Sequence, residues 1–268
     1  MQLAMNFSHE AAALVSVGRI DIDRCKTPDW PDMIEEASSY RPVAVHFGLD
    51  AGRGDLDSKD WTAITALLEQ TSTPYLNLHL NPEVTDYPGI PVDTPDKNQA
   101  KLIVQNLIKD VATAVGRFGA ERVIIENVTY RDATGTTLRT GVEPIVICQV
   151  VKETGCGLLL DLSHARIAAC YLGIEEKEYI SMLPTDRLRE MHFTGLKWVN
   201  GKLKDHWPAL PNDWQALSWA LKRIDKGEWA TPWLLTYEYG GVGDRFKGRS
   251  KPEVMVEQVP RLREMIST

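Results

Sequence analysis

Histidines and carboxylates recur in this chain at or just past the ends of short apolar runs. Val43-Ala44-Val45 leads into His46, Tyr75-Leu76-Asn77-Leu78 into His79, and the run beginning at Leu188 into His192. Leu158-Leu159-Leu160 ends in Asp161, with His164 three residues on, and His206 directly follows Asp205. Two further runs close on Glu126 and Glu238. Neutral imidazole and carboxylate are the donors that divalent zinc, manganese and iron take. Ionisable groups at the tips of apolar strands are costly to bury unless something there neutralises them. A single such histidine is most simply a hydrogen-bonded core or surface residue. That explanation would have to hold separately at strand end after strand end, so the joint pattern points to metal. The nine donors (His46, His79, Glu126, Asp161, His164, His192, Asp205, His206 and Glu238) exceed the roughly four to six that one ion takes. Two or three ions bridged by Glu126 or Glu238 are expected.

These groups need a scaffold that brings strand ends together. Eight strand-like runs are visible: Leu3–Phe7, Ile20–Arg24, Val43–Phe47, Tyr75–Leu80, Arg122–Glu126, Gly157–Asp161, Leu188–Phe193 and Trp233–Glu238. Amphipathic stretches lie between them, at 61–70, 97–118, 145–154, 214–226 and 254–265. Near-continuous apolar strands alternating with helices predict a parallel sheet covered by helices, and eight units in this length predict one closed (β/α)8 TIM barrel spanning residues 1–268. In that fold the reactive groups come from the C-terminal strand ends, so His46, His79, Glu126, Asp161, His192 and Glu238 are expected to converge at one end. Ser250-Lys251-Pro252-Glu253 reads as a capping box opening the last helix, and Gly119, Gly155 and Gly227 as helix stops. Residues 81–96, rich in proline and acid, read as a long loop over one barrel end. Asp205 and His206 are expected in a loop; adjacent residues on an extended loop point to opposite sides, so one of the two is expected to bind metal.

A net charge of −7 and a pI near 5.4 count against broad binding to nucleic acid or anionic membranes. The four cysteines show no C-x-x-C spacing, which disfavours a thiolate zinc site or a disulfide framework. The first residues lack a secretory pattern and no apolar run is long enough to span a membrane, so a cytoplasmic protein is expected. Ser-His-Asp order, P-loop and dinucleotide fingerprint are all absent. Gly240-Gly241-Val242-Gly243 stands where a TIM barrel often cradles phosphate, and reads equally as a glycine turn. Trp198 and Trp207 flank the Asp205–His206 segment as possible pocket walls, whereas Trp214 and Trp219 read as helix packing. Lys197, Lys204, Arg131 and Arg245 are candidates to meet an anionic substrate group, or solvated surface charges.

The set Glu126, Asp161, His192 and Glu238 resembles the metal quartet of xylose-isomerase-like TIM barrels, which include sugar isomerases, epimerases and endonuclease IV. Asp161-Leu162-Ser163-His164 is similar to the D-x-x-H element of that superfamily, and His46 and His79 resemble the extra ligands of its endonuclease IV branch. Locally, Ile125-Glu126-Asn127-Val128, Gly157 to Leu162, and Leu183-Pro184 leading to Glu190-Met191-His192-Phe193-Thr194-Gly195 resemble the multinuclear non-heme iron-dependent oxidative enzymes that modify ribosomally made peptides. That resemblance implies iron, with zinc or manganese as alternatives, and a peptide or small thiol-containing substrate. Asp161, His192 and Glu238 are expected to hold the core ion, while His164 and the Asp205–His206 segment complete a more labile site; His164, His206 and Glu238 are the expected catalytic groups. A zinc phosphodiesterase, a Mn²⁺- or Mg²⁺-dependent sugar isomerase or epimerase, and a non-enzymatic binding module are the competing readings.

Overall fold

The computed structural model describes residues 1–243, 246 and 248–267. Arg245, one of the anion-binding candidates, lies outside the described residues. In chain order the elements begin β1 (Gln2–Asn6), α1 (His9–Ser16), β2 (Arg24–Pro28), α2 (Pro31–Ser38), β3 (Val43–His46), β4 (Asp50–Ala51), α3 (Trp61–Thr71) and β5 (Leu76–Leu80). There follow α4 (Lys97–Phe118), β6 (Val123–Glu126), α5 (Pro144–Thr154), β7 (Gly157–Asp161), α6 (Leu162–Leu172) and α7 (Glu176–Ser181). The remainder is β8 (Leu188–Phe193), β9 (Gly195–Val199), β10 (Lys202–Trp207), α8 (Pro211–Asp225), β11 (Leu234–Tyr237) and α9 (Pro252–Ser267).

The residues gather into two compact units. The first comprises Met1–His46, Thr65–Thr73 and Arg189–Thr268; the second comprises Phe47–Ile64 and Pro74–Leu188. In the first unit, five parallel strands pair in the order β3-β2-β1-β11-β8. In the second, four parallel strands pair in the order β4-β5-β6-β7. Every residue of β6 and β7 is buried, which is why these strands read as unbroken apolar runs rather than alternating ones.

Helix ends follow local chemistry. Asp96 caps α4 by accepting from the amides of Asn98 and Gln99, and Ile103, Leu107, Val111 and Ala114 form its buried stripe. Gly119 and Gly155 end α4 and α5 at positive φ, as does Gly227 after α8. The expected capping box of α9 is not formed. The Ser250 hydroxyl instead exchanges two 3.1 Å hydrogen bonds with the amide and carbonyl of Gly241. That pairing also decides the glycine run: Gly241 lies against the Phe246 ring with its amide engaged, so it builds a turn.

Two further expectations are corrected. The second strand lies at Arg24–Pro28, not Ile20–Arg24. Ile20 and Ile22 are buried ahead of it, and the strand itself carries a charged residue, Lys26, which hid it from a search for apolar runs. The Asp205–His206 segment is no loop but part of an antiparallel hairpin, β9–β10, with an irregular register between Lys204 and Trp207. The hairpin base passes so close to Gly195 that a Cβ there would meet the carbonyl of Pro208, which explains the glycine.

One ion pair ties α9 to the start of the first sheet. Asp23 accepts 2.7 Å bonds from the Leu3 amide and from Arg263. Burial alone would raise this carboxyl, but the Arg263 and Leu3 bonds outweigh it and hold it below its usual range. A depressed carboxylate stabilises the fold above its unfolded pKa and loses that contribution as pH falls through the folded value. Asp23→Asn is therefore expected to lower the melting temperature at pH 7, with the gap to wild type closing below about pH 3.8. Melting curves of both proteins from pH 7 to 3 check this; a gap that is constant with pH would contradict it.

Candidate metal centre

In the second unit the register itself assembles a row of ionisable groups. Asp50 pairs with His79, and His79 with Glu126, so the three stand side by side at the ends of β4, β5 and β6. Glu126 faces Leu159 on β7, and Asp161, two residues further, points to the same side. Glu126 and Asp161 are 1% exposed. His164 follows on the first turn of α6 because Asp161 is that helix's N-cap, accepting its amide at 2.7 Å. One carboxylate thus starts the helix and aims into the centre.

The spacing within this set is that of ligands around an ion. His164 Nδ1 bonds the Asn127 carbonyl at 3.2 Å, leaving Nε2 as its ligand nitrogen. Nδ1 lies 3.4 Å from Glu126 Oε1 and from Asp161 Oδ2, while His79 Nε2 lies 3.4 Å from Glu126 Oε2. These separations exceed ordinary hydrogen bonds. Two donors held tetrahedrally at about 2.1 Å from one ion stand about 3.4 Å apart. Glu126, Asp161 and His164 offer atoms all within 4.8 Å of one another. Glu126 also turns one oxygen to each histidine, the posture of a bridging carboxylate. His79 Nδ1 bonds the Leu49 carbonyl at 3.2 Å, which fixes its tautomer and leaves Nε2 as the donor toward Glu126.

Two buried asparagines hold the second unit's strand ends in place. The Asn127 amide accepts from the Asp161 amide at 3.0 Å and donates to the Asp161 carbonyl at 2.9 Å. Asn77, two residues before His79, makes the same double bond to the backbone of Phe47, at 2.8 and 3.1 Å.

The first unit carries a second set. His192, fully buried, directs Nδ1 at Glu238 Oε1 across 3.1 Å and Nε2 at Glu190 Oε1 across 2.9 Å. Its ring lies 5.2 Å from that of His46. His206 donates Nδ1–H to the Glu238 carbonyl at 2.7 Å, leaving Nε2 for a ligand. Its backbone is left-handed, φ +58°, at the hairpin irregularity, a strained posture for a non-glycine residue that re-aims the ring. Phe246 packs edge-on against it. Burial alone would raise the Glu238 carboxyl, but His192, then His206 and His46, bring it well below the usual range. Asp205, buried beside His206 in β10, belongs to the same unit.

The sequence-derived candidates therefore fall into two groups. His46, His192, Asp205, His206 and Glu238 lie in the first unit, and His79, Glu126, Asp161 and His164 in the second. Overlooked in sequence were Lys26 and Glu190, an ion pair with both side chains at most 3% exposed. Burial alone would raise the Glu190 carboxyl, yet Lys26 and His192 bring it down to about 2. The i, i+2 spacing of Glu190 and His192 on one strand was the available signal.

Comparison with known proteins follows from this geometry. The family described as RiPP precursor modification enzyme MbnB/TglH/ChrH matches residues 26–231. The chain belongs to this family. It is a family of non-heme iron enzymes that modify ribosomally made peptides. Among curated relatives, a UPF0276 protein of Acaryochloris marina is 28% identical over 124 residues, covering 45% of this chain and 44% of the relative. One of Chromobacterium violaceum is 24% identical over 200 residues, covering 72% and 70% respectively. The match thus spans less than half the length of the first of these relatives. Among solved structures, a D-tagatose 3-epimerase-like protein aligns over 100% of this chain and 97% of its own, at TM-score 0.57 and 13% identity. Mannonate dehydratase of Streptococcus suis aligns over 99% and 93%, at 0.58 and 11%. These likenesses establish the fold as an α/β TIM barrel of the xylose-isomerase-like kind. Among the described residues no helix is long and apolar enough to cross a membrane.

Asn127→Ala strips two bonds from the Asp161 backbone and leaves buried groups unmet, each costing about 1–3 kcal/mol. A fall of several degrees in melting temperature and a loss of bound zinc are expected, read by calorimetry and elemental analysis. Unchanged zinc in a folded variant would show that the clamp does not position Asp161.

Proposed function

We propose that this protein is a multinuclear non-heme iron enzyme that oxidatively modifies a peptide or small thiol-containing substrate. The observation that carries the reading is the division of the donors into two sets, one in each unit, each with histidine and carboxylate at ligand spacing. Nine donors are more than the roughly four to six that one ion takes. Membership of a peptide-modifying family supports the substrate class.

Bound iron would supply one-electron chemistry with oxygen, and histidine with carboxylate suits iron, zinc and manganese alike. The side chains divide the remaining work. Glu126, with one oxygen toward each of His79 and His164, would share ions between them, while Asp161, His192 and Glu238 ride on strand ends that fix geometry. His164 on a helix turn and His206 on a strained hairpin are the ligands that can yield a position to substrate. The epimerase reading draws on the solved neighbours, D-psicose 3-epimerase with D-fructose among them. It needs one ion, and it leaves His46 and His79 unexplained.

Protein loaded anaerobically with iron(II) is expected to retain two or more equivalents, and to consume oxygen in the presence of a cysteine-containing peptide. One equivalent or less, with ketose epimerisation by the manganese form, would favour the isomerase reading. His192→Ala is expected to lose metal and melt lower, since bound metal stabilises the folded state by mass action. His206→Ala is expected to keep most of its metal but change turnover. Equal metal loss in both variants would overturn this division of roles.

A further inference from the structure

We propose that Lys26 and Glu190 are a charged positioning pair that sets which nitrogen of His192 meets a metal ion, an inference that rests on the metal-centre reading above. Buried lysine–glutamate pairs are seldom kept for stability: apolar residues of similar volume usually serve as well or better. This pair nevertheless reaches across the first unit's sheet, from β2 to β8, and both side chains are shut off from water. Small residues make the room. Ala4 on β1 and Thr236 on β11 are fully buried between them, and the Thr236 hydroxyl also approaches Glu190, at 3.5 Å.

What the pair touches beyond itself is the imidazole. Glu190 Oε1 receives Lys26 and stands 2.9 Å from His192 Nε2. An ionised carboxylate has only lone pairs to offer, so Nε2 must carry the hydrogen. With an ion bound, Nδ1 would present its lone pair to it beside Glu238 Oε1, 3.1 Å away. Two acceptors facing each other at that distance frame a position for a cation; ligands at right angles around an ion at about 2.1 Å lie about 3.0 Å apart. Lys26 matters because it keeps Glu190 an acceptor without drawing on the metal's charge. Remove the ammonium, and Glu190 must take its compensation from His192 instead. The carboxylate behind a metal-bound histidine typically changes metal affinity about 10- to 100-fold when lost.

The test must separate positioning from plain stability, because Lys26→Met alone leaves a buried carboxylate uncompensated and is strongly destabilising. The double variant Lys26→Met/Glu190→Gln removes both charges together and is expected to melt near the wild-type temperature. Zinc is titrated into metal-free full-length wild type and double variant, in competition with a chromophoric chelator. Zinc affinity is expected to fall about 10- to 100-fold in the double variant despite the recovered melting temperature. Imidazole ¹⁵N spectra of the zinc-loaded proteins provide the second readout: His192 should keep its hydrogen on Nε2 and meet zinc through Nδ1 in wild type, and divide between the two nitrogens in the variant. Unchanged zinc affinity and unchanged His192 signals in the folded double variant would overturn the proposal while leaving the metal centre standing. Wild type that takes up no zinc and no iron would instead overturn the metal centre itself.

Discussion

Carboxylates withdrawn from water must be met by positive charge, and the rest of this structure is arranged around that requirement. Glu126 and Asp161 are buried together within 3.4 Å of one imidazole nitrogen. Glu238 is ringed by three histidines, and Glu190 by a lysine and a histidine. The surrounding sheet offers mostly apolar side chains. Where a lysine is supplied, the charge is settled within the chain; where only imidazoles are supplied, a divalent ion is the natural complement. The first arrangement describes Glu190, the second Glu126, Asp161 and Glu238.

Precision comes from backbone devices rather than from the ligands themselves. Parallel pairing sets Asp50, His79 and Glu126 in one row, and the two-residue period of a strand puts Asp161 on the same side as Leu159, the partner of Glu126. Asparagines at 77 and 127 copy the hydrogen bonding of a peptide unit where the strand ladder ends. His79 and His206 each give Nδ1–H to a main-chain carbonyl, which leaves the other nitrogen available. The histidines therefore arrive with their tautomers already chosen.

Much of this was legible in the sequence because burial on both faces makes a parallel strand an unbroken apolar run, and the ionisable residue ending it stands out. Helix α4 was readable to the residue, since Asp96 and Gly119 punctuate a strong amphipathic stripe. Strand β2 was misplaced for the opposite reason. Its Lys26 is interior, but a lysine looks exposed until its glutamate is known, and that glutamate is 164 residues away. The hairpin at Asp205 and His206 was read as a loop because Lys202 and Lys204 give it a polar face and its irregular register hides the alternation. Ser250 matched a capping box by spacing, yet its hydroxyl found a better geometry on Gly241. Only for β2 did the short-range pattern lose to a partner distant in sequence.

The lysine at position 26 also bears on the order in which the protein matures. Glu190 has its counter-charge from the moment the first unit's strands pair, whether or not a metal is present in the cell. Glu126 and Asp161 are met instead by the imidazole of His164, 3.4 Å from each. The Lys26–Glu190 charge is thus settled by the pairing of the first unit's own strands, with no ion called for.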